Sequence, residues 1–332
     1  MSTDALSNLL LEAALVVYAG AVLAYLAEIL LAQGLDRVGV AHGRTLVGAA
    51  AETSTRAGAG ADPGRVDPSA SLPPTAGRWS GRGERAGRLA LPLLTLGSGL
   101  HLGAVVARGF AAGRAPWGNM FEFAVVGALV AAGVFLVLQR RYEVGYLGVW
   151  VSAVVLGVLG FAVTVLYTEP GPLLPALRST WLVIHVFAAI LATGLFTIGA
   201  IVSVLYLMAH RLGPVAGRGR LGAYVSRLPD GSTLDRLAFR LHAVAFPIWT
   251  FAVMAGAIWA QYAWGRYWGW DPKETWAFVS WVAYAAYLHA RVTAGWRGRG
   301  AAGIALVGYA TMLFNFIGVN IFFTGFHSYA GL

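Results

Sequence analysis

The stretch Ala263 to Trp276 reads A-W-G-R-Y-W-G-W-D-P-K-E-T-W and gathers four indoles (Trp264, Trp268, Trp270, Trp276) and the Tyr267 phenol. Gly265, Gly269 and Pro272 make its first half poor helix. From Asp271 the pattern changes. Asp271 suits an N-cap, Pro272 the first helical position and Glu274 the third, as in a capping box. An aromatic loop followed by a helix starting at Asp271 is expected. Flat rings on such a loop suit a large planar apolar ligand. A membrane-interface belt is the plainer alternative, but it calls for about one or two aromatics per helix end, not a shelf. The other candidates for chemistry are the 7 histidines. Cysteine is absent, so thiol redox chemistry belongs to a partner. The chain shows no convincing nucleophile–base pair, metal-hydrolase spacing or phosphate loop.

The elements that must position these residues are membrane spans. The composition is 58% hydrophobic and 12% charged, with a mean hydropathy of +0.66, which belongs to integral membrane proteins. Apolar runs at about Leu9–Leu31, Leu89–Val106, Phe121–Leu138, Gly145–Leu166, Thr180–Ala209, Leu241–Tyr262, Pro272–His289 and Ala301–Phe323 predict eight spans. The expected fold is an all-α integral membrane protein of about eight transmembrane helices. Residues 1–33 form the first helix, 34–88 a disordered cytoplasmic loop rich in Ala, Gly, Pro, Ser and Arg, and 89–332 a seven-helix core carrying the loop 263–276. Asp4 and Glu12 and the lack of a basic start argue against a cleavable signal peptide.

The net charge of +9 does not point to nucleic acid, because the basic residues lie in loops between apolar runs. Loops 34–88, 139–144, 210–240 and 291–300 hold nineteen of the 24 Arg and Lys residues, and the other side holds five. By the positive-inside rule both termini and the tryptophan-rich loop face outward. Lys273 is the single lysine, as a GC-rich bacterial coding bias would give.

Depth sorts the histidines. His185 lies five residues beyond Thr180, hence ~7 Å below the outer surface. His327, in F-T-G-F-H-S-Y, follows the last span on the same side. Two imidazoles level with an aromatic shelf suit bis-histidine ligation of a haem iron, although helix packing can also satisfy a histidine in a span. His289 lies ~25 Å deep, near the cytoplasmic leaflet. His101 is unpaired inside the second span, His210 and His242 are interfacial beside Arg211 and Arg240, and His42 is solvated in the loop. The outer P-W-G-N-M-F-E-F places Asn119 and Glu122 as N-cap and third residue of the next span, with Trp117 adding apolar surface. Asp271 has two readings, as a cap and as a contact to a haem-side group.

W-G-R-Y-W-G-W-D-P-K-E-T-W resembles the tryptophan-rich WWD signature of cytochrome c haem-handling proteins, and W-V-A-Y-A-A-Y-L-H-A-R (Trp281 to Arg291) resembles the CcsA/ResC branch of system II cytochrome c maturation. The resemblance covers about Leu89 to the C-terminus; the 34–88 loop does not match. It implies a W-x-N-x-x-E element at Trp117, Asn119 and Glu122, external haem-ligating histidines at His185 and His327, and an intramembrane histidine at His289. It further implies haem b carried across the bacterial cell membrane and presented to apocytochrome c, where thioethers form at a C-x-x-C-H motif. Such a chain works with a ResB-like subunit as a cytochrome c haem lyase, with thioredoxin-like thiol reductants acting indirectly. The competing readings are a haem exporter without ligation activity, a system I haem-handling protein and a b-type electron-transfer subunit. The last predicts histidine pairs in facing helices, whereas these are unpaired.

Overall fold

The structure is a computed structural model that describes residues 2–31, 81–171, 178–213, 222 and 224–327. Among these residues the chain is helical throughout, without strands. The helices are α1 (Thr3–Leu31), α2 (Gly81–Ala112), α3 (Met120–Arg141), α4 (Gly148–Phe161), α5 (Thr180–Leu212), α6 (Gly231–Trp264), α7 (Pro272–Val292), α8 (Arg299–Leu313) and the short α9 (Val319–Phe322). Turns of π-helix extend α4 over Ala162–Leu166 and join α8 to α9 over Phe314–Gly318.

Among the described residues, seven helical segments are long and apolar enough to cross a membrane. The remaining long helix, α7, has 21 residues, and its Lys273, Glu274, His289 and Arg291 dilute its hydropathy. It packs on α8 and α6 as the eighth member of the bundle. The chain is a multi-pass membrane protein. Its helices fall into two groups: α1 pairs with α2 and packs on α4, and α5 pairs with α6 while α8 packs on α5 and α7. The α3–α5 contact joins the groups.

Both groups end together on the side of the tryptophan-rich loop. The Ser7 hydroxyl donates to the Ala104 carbonyl (2.9 Å), and Arg108 reaches Asp4 (3.5 Å) and Glu122 (3.1 Å), so the start of α1 lies beside the end of α2. At the opposite end Arg291 pairs with Asp235 at 2.8 Å.

The expected caps are present. Asp271 and Glu274 form the capping box of α7, and Asn119 accepts from the Glu122 amide at the start of α3. Hydropathy placed two starts too late. Helix α2 begins at Gly81 rather than Leu89, and α6 begins at Gly231 rather than Leu241. The Asp230 side chain caps α6 by accepting from the Thr233 amide at 2.6 Å, and the following turns are polar. A helix runs to its cap, whereas a hydropathy window stops at the edge of the apolar segment. The rest of the expected loop, residues 34–80 with His42, lies outside the described residues.

Candidate haem-binding cavity

The tryptophan end holds a cavity with about 1080 Å³ of space between atoms, its open mouth included. Its walls come from the start of α3, the first turns of α5, the second half of α6, the start of α7, the π turn after α8 and His327. The π turn puts Asn315 and Phe316 into the wall, where Phe316 packs on Phe123 (4.7 Å) and Trp249 (6.3 Å). Single π turns inside α-helices often mark functional sites.

His185 and His327, 142 residues apart, both line this cavity. The Nδ1–H of His185 donates to the Ala252 carbonyl at 2.7 Å. That of His327 donates to Asp271 Oδ2 at 2.8 Å. In each neutral ring the lone pair is then on Nε2, the nitrogen a metal takes, and the Nδ1 bond fixes tautomer and orientation. Trp259 touches both imidazoles, stacked on His185 (6.1 Å, 13°) and edge-on to His327 (5.9 Å). Trp264 packs on Trp259 at 4.8 Å. Two oriented nitrogen ligands within aromatic walls are a donor set that fits a haem.

Asp271 caps α7 and also anchors His327. One oxygen accepts from His327 and lies near the Lys273 amide, and the other accepts from the Phe326 amide at 2.8 Å. Burial alone would raise its carboxyl, but the hydrogen bonds from His327 and Phe326 prevail and hold it below the usual carboxylate value of ~3.9. A carboxyl lowered in the native state contributes stability above its ordinary value, and loses it as pH falls through the lowered one. Replacing Asp271 by Asn is expected to cost about 1.5–3 kcal/mol, the range for hydrogen bonds to charged groups, and to flatten the acid limb. Melting curves of the detergent-solubilised chain between pH 3 and 7 measure both; an unchanged acid limb refutes the link.

The indole shelf is divided. Trp264, Trp268 and Trp117 line the cavity; Trp270 and Trp276 do not. Trp270 has φ +57°, a left-handed backbone rare outside glycine, and its side chain is 64% exposed, perpendicular to Trp268. Trp276 faces Phe314 at 4.3 Å. In the W-x-N-x-x-E element, Asn119 borders the cavity while Glu122 is 1% exposed outside it. Glu122 accepts from Arg108 (3.1 Å), Arg114 (2.6 Å) and the Gly118 amide (2.8 Å), and so clamps α2 to α3.

His289 sits at the far end of α7, exposed, its Nδ1 3.4 Å from the Thr293 hydroxyl, and does not join the other two. His101 is buried between α1 and α2 beside Tyr18 (5.9 Å). The interfacial expectation for His242 is corrected: the ring is fully buried among Phe196, Tyr284 and Tyr287. Gly199 makes that room, since a Cβ there would lie 2.6 Å from the imidazole.

Sequence reading passed over Trp249, Trp259, Lys273 and Asn315 in the cavity wall. A signal existed for α6, because Trp249, Val253, Gly256 and Ala260 recur at helical spacing on one face.

Residues 117–327 match the cytochrome c assembly protein family. Cytochrome c biogenesis protein CcsA of Parasynechococcus marenigrum is 34% identical over 258 residues, covering 71% of this chain and 85% of that protein. CcsA of Gloeobacter violaceus is 32% identical over 279 residues, covering 69% and 82%, and CcsA of Crocosphaera subtropica is 31% identical over 274 residues, covering 67% and 82%. Among solved structures, cytochrome c haem lyase CcmF shares the fold with a TM-score of 0.61 at 16% identity; the match covers 95% of this chain and 47% of that longer chain. With the family match running from Trp117 to His327 across the whole cavity, the chain belongs to the cytochrome c assembly protein family, in its CcsA branch, and serves cytochrome c biogenesis.

Proposed function

We propose that the cavity receives haem b as cargo, that His185 and His327 take the iron through Nε2, and that the chain presents this haem to apocytochrome c. The observation that carries the reading is the convergence of two Nδ1-anchored imidazoles on one aromatic cavity. The nineteen-to-five asymmetry of basic residues supports an extracytoplasmic tryptophan end, with both termini on that side. Each substrate thiol then adds across a haem vinyl: sulfur bonds to one carbon, its proton goes to the other, and no electrons are gained or lost. Orientation of the reactants suffices, which accords with a wall lacking a nucleophile–base pair. His289, exposed at the opposite end, suits a shared inner haem site with a ResB-like subunit, and the chain acts as haem lyase only with that partner. Thioredoxin-like proteins keep the client thiols reduced.

The absorption spectrum of the detergent-purified chain tests the site. His185→Ala and His327→Ala are each expected to lose the low-spin haem signal, with added imidazole restoring it. Both variants keeping a wild-type spectrum would refute the ligand pair. The two histidine levels equally suit a haem exporter without ligation activity. Covalent attachment of haem to a C-x-x-C-H peptide by the purified two-subunit complex excludes that reading, and its absence favours it.

A further inference from the structure

Lys273 is the only lysine in a chain that uses arginine at every other fixed-cation position, and it lines the haem cavity. Coding bias accounts for the arginines and leaves this exception. Lys273 occupies the first turn of α7, where a cation opposes the helix dipole, so local helix energetics disfavour it. Its ammonium has no hydrogen-bond or ion-pair partner among the described residues, although two carboxylates are close. Both are committed elsewhere. Asp271 is held by His327 and the Phe326 amide, and Glu274 by Arg266 and the Gly269 and Asp271 amides. Among the described residues lining the cavity, Lys273 is thus the cation whose ammonium no carboxylate binds directly, and it stands beside apolar rings.

We infer that Lys273 receives an anionic carboxylate of the planar ligand, and so sets which edge of the macrocycle lies against α7. The inference rests on the haem reading above; haem carries two propionates, and a compact ammonium suits one of them as a point charge. Fixing that edge would also fix which way the vinyl groups point, toward the client thiols.

The test is equilibrium titration of the detergent-purified full chain with ferric protoporphyrin IX and with its dimethyl ester, which lacks the charges. Wild type is expected to prefer the free acid by about tenfold or more, as one charge-assisted hydrogen bond would give. Lys273→Met should bring the two to within about twofold, and Lys273→Arg should keep most of the preference. An unchanged preference in Lys273→Met, or none in wild type, overturns the inference. If Lys273→Met binds neither porphyrin, Lys273→Arg decides by keeping or losing the preference. A wild-type chain that binds neither with a His185- and His327-dependent low-spin spectrum refutes the haem reading itself, whereas binding without preference refutes only the role of Lys273.

Discussion

Gly256→Val is expected to remove low-spin haem binding as fully as His185→Ala. A Cβ at this position would lie 2.7 Å from Cε1 and Nδ1 of His185, closer than side chains approach. The imidazole lies across the α6 backbone to reach the Ala252 carbonyl, one turn earlier, and only a glycine leaves that path open. A valine either strains the packing by about 1–3 kcal/mol or drives the ring from its carbonyl anchor. Haem titration of the single and double variants separates these outcomes. If Gly256 acts through the imidazole, Gly256→Val added to His185→Ala should weaken binding no further, because the two share one interaction. Gly256→Ala is the milder case: relief of a mid-helix glycine should stabilise α6 by about 0.5–1 kcal/mol in open space, while the clash acts against it. A Gly256→Val protein with wild-type haem affinity would show that the close approach has no functional weight.

Glu122→Ala is expected to produce the largest loss of stability of any single change considered, about 3–5 kcal/mol, without a specific loss of haem affinity in the folded fraction. Removing the carboxylate leaves the Arg108 guanidinium, 3% exposed, with only Asp4 at 3.5 Å, Arg114 without its counter-charge and the Gly118 amide without its acceptor. Breaking a buried ion pair from one side costs this much because the remaining charge stays desolvated. Arg108 also donates to the Thr168 carbonyl, so the strain spreads to the segment after α4. Glu122→Gln should fall between wild type and Glu122→Ala, since its amide oxygen can still accept from Gly118. Chemical denaturation in detergent, paired with haem titration, tests the assignment. A Glu122→Ala chain that melts like wild type but loses haem would return this residue to the ligand site.

Much of the molecule was legible in the linear pattern, for reasons of solvent and local geometry. A bilayer is spanned by helices or closed barrels, and continuous apolar runs of this length suit only helices, so composition and run length declared the class and nearly every span. Capping depends on residues within one turn, so Asp271, Glu274 and Asn119 could be assigned their backbone roles directly. Counting residues from a span edge put His185 and His327 at one level, and the fold brings them to one cavity. Lateral neighbours and side-chain direction were not legible in this way. Depth arithmetic gives a height along the membrane normal and nothing about which helices adjoin. The Asp271–His327 bond, the Gly256–His185 approach and the burial of His242 all depend on helix pairing across 42 or more residues. Within the tryptophan-rich loop, one left-handed residue at Trp270 sends adjacent indoles to opposite fates. Residue types and spacing thus determined that histidines and indoles would meet at one end of a helical bundle. Packing decided which of them face the ligand and which carboxylates are spent, because hydrogen bonds and sterics act over a few ångströms while sequence separation sets no such distance.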